Sequence, residues 1–198
     1  KQKGNVESRE KILGNIPPQM AGINPLPDYE PIIEGDNDLV QKFCDVLQSI
    51  GGEAVSITGW DQLKAFVTYN HTSSSRIFST IPELPWYVSH PSQEAHSFED
   101  LDIAILKGHF GVAENGAIWL TEGLMGSPVT PFIAQHLAIV INKDDIVSTL
   151  HEAYGKIKSL PFDFGIFIAG PSKTADIEQS LVLGAHGPKS MTVFLLDG

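Results

Sequence analysis

The sequence predicts an α/β fold in three layers, α/β/α, with a mainly parallel sheet and helices on both of its faces. Short apolar runs typical of strands alternate along the chain with segments of helical periodicity, a pattern that indicates βαβ units. Residues 137–141 form a continuous apolar run, as expected of a strand that is covered on both faces. With 198 residues, of which 42% are hydrophobic, the chain is long enough for one domain with a substantial core.

The first 35 residues predict a helix followed by a proline-rich acidic linker. Residues 6–16 carry apolar side chains at helical spacing, and five prolines fall within residues 17–35. Because proline fixes φ and lacks an N–H donor, this second stretch should be extended. It contains acidic residues but no lysine or arginine. The linker is either an acidic arm that docks a partner or a solvated connection that wraps the α/β domain, residues 36–198.

The α/β domain has its elements predicted by periodicity and by turn residues. Helices are expected at residues 38–50, 60–67, 143–154 and 174–183. Strands are expected at residues 54–57, 75–79, 103–106, 109–113, 116–121, 137–141, 164–169 and 192–196. The dipeptide Asn115-Gly116 predicts a hairpin between two of these strands.

Charge and cysteine content exclude several classes of function. The chain has 13 lysines and arginines against 24 acidic residues, a net charge of −11, which disfavours binding to nucleic acids or anionic membranes. The single cysteine, Cys44, excludes an intrachain disulfide, a four-cysteine zinc site and a cysteine-ligated iron–sulfur cluster within this chain. Neither a membrane-spanning run nor a signal peptide is visible, so a soluble cytoplasmic domain is expected.

Two further residue patterns leave a structural and a functional interpretation open. Cys44 lies beside the apolar stripe of a predicted helix and is either a buried core residue or a nucleophile. His90 and His96 are conceivable metal ligands, but their spacing matches no common ligand pattern, and we predict no metal site.

The loop at residues 170–174 follows a predicted strand and precedes a predicted helix. Ser172 or Thr174 can cap this helix, whose first N–H groups suit a carboxylate or phosphate, and Lys173 adds a positive charge. The loop lacks the spaced glycines of a Walker A motif. Asp176 and Glu178 equally allow an ordinary capped helix whose own acids satisfy its dipole.

Two more residues, both at predicted turns, have side chains suited to acid–base chemistry. His186 lies between Gly184, expected to end the last helix, and Gly187, and is either a general base or a turn residue bonded to backbone. Glu114 stands at the predicted hairpin beside Asn115, where a carboxylate held near glycine-rich backbone is either an acid, base or nucleophile, or a solvated hairpin tip.

Three motifs together resemble a known family. The run GPSKTADIE at 170–178, with LVLGAHGP at 181–188, resembles the carboxy-terminal signature of the LutC/YkgG lactate-utilisation family, the LUD domain. The run GVAENGAIWLT at 111–121 is similar to the central motif of that family, and residues 8–13 resemble its opening helix. The resemblance covers nearly the whole chain. The sequence departs from the family pattern at Lys173, where arginine is expected, and at Asn115, where a small hydroxyl residue is common.

The resemblance implies a fold related to the NagB/RpiA/CoA-transferase-like group. It also implies membership of a three-protein system that oxidises L-lactate to pyruvate, in which the two partner proteins carry the iron–sulfur clusters and this chain carries no cofactor. A small anionic metabolite is the expected ligand. The implied catalytic residues are Glu114, His186 and Asp176. The implied substrate-binding residues are Thr121, Glu122, Gly170, Ser172, Lys173, Thr174, Glu178 and Gly187.

Two other functions remain open from the sequence. The chain is alternatively a stand-alone enzyme acting on a phosphorylated or CoA-linked small acid, with Glu114 as base or nucleophile. It is otherwise a sensor that binds a carboxylate or similar metabolite without converting it.

Overall fold

The computed structural model describes residues 4–15, 38–89, 95–175, 181–184 and 186–198, and the elements given below belong to these ranges. The chain divides into two units, residues 1–33 and 34–198. The first unit contains helix α1, Gly4–Gly14, close to the helix predicted at residues 6–16. The predicted linker and its boundary at residue 35 lie outside the described residues.

The second unit alternates helices and strands as predicted. Its helices are α2 (Leu39–Ser49), α3 (Trp60–Asn70), α4 (Glu122–Met125), α5 (Thr130–Ile133) and α6 (Leu150–Ile157). Its strands are β1 (Glu53–Ile57), β2 (Ile77–Ser79), β3 (Ile103–Lys107), β4 (Phe110–Val112), β5 (Ala117–Thr121), β6 (His136–Asn142), β7 (Ile146–Val147), β8 (Gly165–Ile168), β9 (Lys173–Ala175), β10 (Leu181–Leu183) and β11 (Ser190–Leu196). Within these ranges, no helix has the length and apolar character that crossing a membrane requires.

The central sheet is parallel throughout, which confirms the predicted α/β class. Its five strands run in the order β1-β11-β6-β3-β2. The carboxy-terminal strand β11 lies inside the sheet, where Val193 is opposite Ala54 on one side and Ile139 on the other. Continuous apolar runs suit these inner strands because both of their faces are covered.

Each face of the central sheet carries its own apolar cluster. Along β3, Ala104 and Leu106 point into one cluster, whereas Ile103 and Ile105 point into the other, as the twofold periodicity of a strand requires. The first cluster packs against α2 and a second, smaller sheet, and the second packs against α3 and the loop that follows β2. The outer layer on the first face therefore combines a helix with a sheet, whereas the sequence predicts helices on both faces.

The second sheet has the strand order β7-β4-β5-β8. Its centre is the antiparallel hairpin of β4 and β5, predicted from Asn115-Gly116. Gly116 has φ +68°, the left-handed conformation that such a turn needs, and the side-chain oxygen of Asn115 accepts a hydrogen bond of 3.0 Å from the N–H of Ala117. The predicted hairpin is confirmed.

Two predicted helices are wrong, one in part and one in all of its residues that the structure describes. Residues 143–154 contain a short 3₁₀ turn and strand β7 before α6 begins at Leu150. Of residues 174–183, the described residues 174–175 and 181–183 are not helical, because they belong to β9 and β10, which pair as antiparallel strands with Thr174 opposite Val182. In both segments, the apolar side chains suit either a helix or a short strand. Pairing with a neighbouring strand decides in favour of the strand.

Candidate functional site

Glu114 lies exposed at the turn between β4 and β5, and its carboxylate has a structural partner. Its Oε2 atom accepts a hydrogen bond of 2.7 Å from the backbone N–H of Leu150. Leu150 is the first residue of α6, where backbone N–H groups have no partner within the helix. The hydroxyl of Thr149 accepts a second hydrogen bond, of 3.3 Å, from the N–H of Glu152. Glu114 therefore caps α6 from a hairpin that lies 36 residues earlier in the chain.

We expect Glu114→Ala to lower the free energy of unfolding by about 1 kcal/mol, because the N–H of Leu150 loses its acceptor. Glu114→Gln keeps a side-chain oxygen at this position and should lose less. Urea denaturation measures both effects, and hydrogen exchange of the Leu150 amide localises them. Glu99→Ala removes another exposed carboxylate and should leave stability unchanged; a loss as large as that of Glu114→Ala would contradict the capping role.

Thr121 and Glu122 lie where β5 ends and α4 begins. Thr121 is buried, and its Oγ1 atom is 2.9 Å from Nε2 of His109. The two carboxylate oxygens of Glu122 accept hydrogen bonds from the N–H groups of Asp163, at 2.9 Å, and Phe164, at 3.0 Å. The backbone hydrogen bonds, led by that from Asp163, favour the charged form and lower the pKa of Glu122. Glu122 is thus a carboxylate that holds the chain just before β8.

His109 is a polar residue that no motif in the sequence singles out. It follows Gly108 at the carboxyl end of β3, the end of a parallel sheet where α/β proteins bind ligands. Burial lowers the pKa of its imidazole, and the positive charge of Lys107 lowers it further. The imidazole is therefore neutral at pH 7 and fit to exchange protons or hydrogen bonds. The signal in the sequence is a histidine directly after a glycine that closes a buried strand.

The loops at 170–174 and 184–188, both predicted to hold site residues, contact each other. The N–H of Ser172 donates to the carbonyl of Pro188 at 2.9 Å, and the N–H of Gly184 donates to the carbonyl of Ser172 at 3.1 Å. A Cβ atom on Gly187 would lie 3.0 Å from Cβ of Ser172, so only glycine fits there without a shift. The structure therefore brings Ser172 and Gly187 together.

The same loop packs on the end of α2. Gly170 has φ +71°, and a Cβ atom there would lie 3.0 Å from the carbonyl oxygen of Ile50. Lys173 is exposed, and its Nζ atom lies 3.4 Å from the position of a Cβ on Gly51. The carbonyl end of a helix attracts a cation, which accounts for Lys173 without a bound anion. The helix expected to begin at this loop does not begin at residues 173–175, which form strand β9, so anion binding by this loop stays a prediction without a helix end at these residues to support it.

The remaining predicted residues are placed as follows. His186 is exposed in the turn before β11. Only the backbone of Thr174 is described, in β9, and Asp176 and Glu178 lie outside the described residues. Among the hydrogen bonds of the described ranges, none joins Glu114, Thr121 or Glu122 to the paired loops. The described part of the predicted site is therefore not joined into one hydrogen-bonded group.

Within the residues that the structure describes, Cys44 and the histidines form no centre for metal or nucleophilic chemistry. Burial, followed by the charges of Asp45 and Asp38, raises the pKa of the Cys44 thiol, which packs at the rim of the first apolar cluster. In the described parts of the chain, no three histidine, cysteine or acidic side chains are arranged to hold a metal ion. His90 lies outside those parts, so the expectation that His90 and His96 form no metal site stays a prediction of the sequence.

Comparison with known proteins identifies the family. The model of the LUD domain matches residues 90–196, which run from before β3 to the end of β11. The chain belongs to the LUD domain family. The resemblance to LutC/YkgG is confirmed by similarity to Lactate utilization protein C of Shouchella clausii (strain KSM-K16), 26% identical over 73% of this chain and 63% of that protein.

Other relatives agree with this assignment. Lactate utilization protein C 1 of Bacillus mycoides (strain KBAB4) is 30% identical over 67% of the chain and 59% of its own length. Uncharacterized protein YkgG of Escherichia coli (strain K12) is 21% identical over 76% of this chain and 65% of its own length. The LUD chain described here thus spans about six tenths of the length of these relatives.

A solved structure supports the fold. The crystal structure of a DUF162 family protein from Deinococcus radiodurans superposes with a TM-score of 0.58, covering 81% of this chain and 97% of that one at 16% identity. The mixed α/β architecture of this LUD domain is therefore shared with a distant relative.

Proposed function

We propose that this LUD domain protein is a LutC-like component of a cytoplasmic system that oxidises L-lactate to pyruvate together with separate iron–sulfur proteins. The observation that carries the proposal is the match of residues 90–196 to the LUD domain, joined to relatives named for lactate utilisation. A single cysteine within these 198 residues cannot supply the thiolates of an iron–sulfur cluster, so electrons from lactate would pass to partner proteins.

The polar group at the carboxyl end of β3 is the place we assign to a small anionic metabolite. His109 offers a half-buried imidazole, and Lys107 lies close enough to influence its charge. Together they supply a hydrogen-bonding group and a positive charge, which a hydroxy-acid carboxylate requires. Thr121 orients the imidazole through its 2.9 Å contact. The roles of Glu114, His186 and Asp176 as catalytic residues remain proposals on the family resemblance.

Deleting the gene in its own organism is expected to abolish growth on L-lactate and to leave growth on glucose intact. The wild-type gene should restore growth, and an affinity-tagged copy should co-purify with proteins that contain iron and acid-labile sulfide. His109→Gln should fail to restore growth, whereas the exposed His96→Gln should succeed, with both proteins present at wild-type levels. Growth of the deletion strain on L-lactate, or purification of the chain without iron–sulfur partners, would contradict the proposal.

A stand-alone enzyme or sensor is the second candidate, and one observation favours it. A cavity of about 410 Å³ opens beyond the carboxyl end of β1, lined by Thr58, Gly59, Trp60, Asp61, Gln62, Lys64 and Glu83. This volume suits a small metabolite. A rise in melting temperature with a phosphorylated, CoA-linked or carboxylate compound, absent in Lys64→Ala, would favour this candidate. No rise with any of these compounds would exclude it.

A further inference from the structure

Two histidines meet at the amino edge of the central sheet, at the end opposite to His109. His71 directly follows α3, and its backbone N–H donates to the carbonyl of Val67 at 3.0 Å. His136 is the first residue of β6. The centroids of the two imidazole rings are 5.2 Å apart, with their planes inclined at 59°. This contact ties the end of α3 to the edge of the sheet.

The two rings are half-buried, and they lie beside a small cavity that is partly open to solvent. Nδ1 of His136 is 2.8 Å from Oγ of Ser190, the first residue of β11. The two rings line a cavity of about 30 Å³, together with Phe66, Val67, Ile103, Leu137, Ala138, Ser190, Thr192 and Phe194. Such a volume holds about one water molecule and leaves little room for a counter-ion.

Charged groups of opposite sign face the pair from the neighbouring elements. Asp102, just before β3, favours protonation of both rings, but its Oδ2 atom already accepts a hydrogen bond of 2.7 Å from the N–H of Arg76. Lys189, just before β11, opposes a positive charge on His136. From β1, Glu53 reaches the cavity wall only through Thr192 Oγ1, at 3.5 Å.

We propose that the His71–His136 pair is an acid-sensitive contact that holds the end of α3 on the sheet at neutral pH and releases it when the rings become protonated. Two neutral imidazoles can pack together, whereas two imidazolium rings in this cavity repel each other and lose hydration. The upstream part of α3 remains packed through the buried side chains of Leu63 and Val67, so the release is confined to the end of the helix.

The direction of the pH effect follows from the lowered pKa values. Burial is the main cause of the lowered pKa of both rings, and the charge of the neighbouring His136 lowers the pKa of His71 further. Because the folded pKa values lie below the unfolded value of about 6.5, the unfolded state binds more protons as the pH falls. The contact is therefore fully stabilising above about pH 7 and weakens as the pH falls through 6.5 towards the folded values.

Hydrogen exchange of the whole chain at about pH 7.5 and about pH 5.5, corrected for the intrinsic rate, tests the proposal. We expect the protection of amides 69–71 to fall severalfold at the lower pH, with the protection of β3 and β11 unchanged. In His71→Gln and His136→Gln, protection should no longer depend on pH, whereas the exposed His96→Gln should behave like the wild type.

Several results would overturn the proposal. They are equal protection at both pH values, loss of protection spread uniformly over the central sheet, or an unaltered pH dependence in His136→Gln. An NMR titration of the wild-type rings provides a measurement that needs no variant. Both rings should titrate below the ordinary histidine value, and titration at that value would also refute the proposal.

Discussion

Replacing Phe194 by alanine is expected to lower the free energy of unfolding by about 3–5 kcal/mol. Phe194 lies in β11 with 1% of its surface exposed, opposite Val55 of β1 and Val140 of β6. Its ring meets that of Phe66 edge to face, with centroids 5.2 Å apart. The substitution therefore leaves a void between the centre of the sheet and α3, in addition to the lost transfer free energy of the ring.

Urea denaturation measures this loss, and the melting temperature should fall by roughly 6–20 °C. Phe194→Leu keeps most of the apolar volume and should cost clearly less. Tyr69→Ala removes an aromatic ring that is 90% exposed in α3 and should change stability by no more than about 0.5 kcal/mol. A cost below about 1 kcal/mol for Phe194→Ala would contradict the position of β11 inside the sheet.

Gly108→Ala, which adds a single methyl group, should destabilise the fold by about 1–3 kcal/mol. A Cβ atom at Gly108 would lie 2.6 Å from Cγ2 of Ile118 and 2.8 Å from Cγ2 of Ile141. Ile118 belongs to the second sheet and Ile141 to the central sheet, so the methyl group would push the two sheets apart. Both isoleucines are fully or almost fully buried and have little space to move.

Gly155→Ala provides the matched control for this glycine substitution. Gly155 lies within α6, and a Cβ atom there meets nothing within 4 Å. Alanine should therefore raise the free energy of unfolding by about 0.5–1 kcal/mol, because it favours the helix. Chemical denaturation should show that the free energy of unfolding falls in Gly108→Ala and rises in Gly155→Ala. A change of the same sign in both variants would contradict the close approach at Gly108.

The central architecture is predictable because its signals are local. The apolar runs at 103–106, 137–141 and 192–196 can bury both faces only inside a sheet, and they form β3, β6 and β11. The hairpin follows from the Asn115-Gly116 dipeptide alone. The pair β9 and β10 could not be predicted in the same way, because a short segment of mixed periodicity becomes a strand only through its partner.

The candidate site was less predictable, since its contacts join distant parts of the chain. Glu114 stands out in the sequence as one of two acids in a glycine-rich stretch, but its partner Leu150 belongs to a helix that begins later than the sequence predicts. The family resemblance implies that Thr121 is a site residue, whereas only the contact of His109 with Thr121 in the structure points to His109. The encounter of His71 with His136 depends on α3 crossing the sheet, which no local pattern encodes.

The position of β11 between β1 and β6 has a consequence for biosynthesis. A nascent chain leaving the ribosome carries β1 and β6 long before their common neighbour exists. At roughly 5–20 residues per second, the interval between β1 and β11 is on the order of 10 s. During that time, the edges of two apolar strands are open to pairing with other chains. Protection by a chaperone during translation would therefore act mainly before residues 190–196 emerge, when β11 has yet to close the sheet.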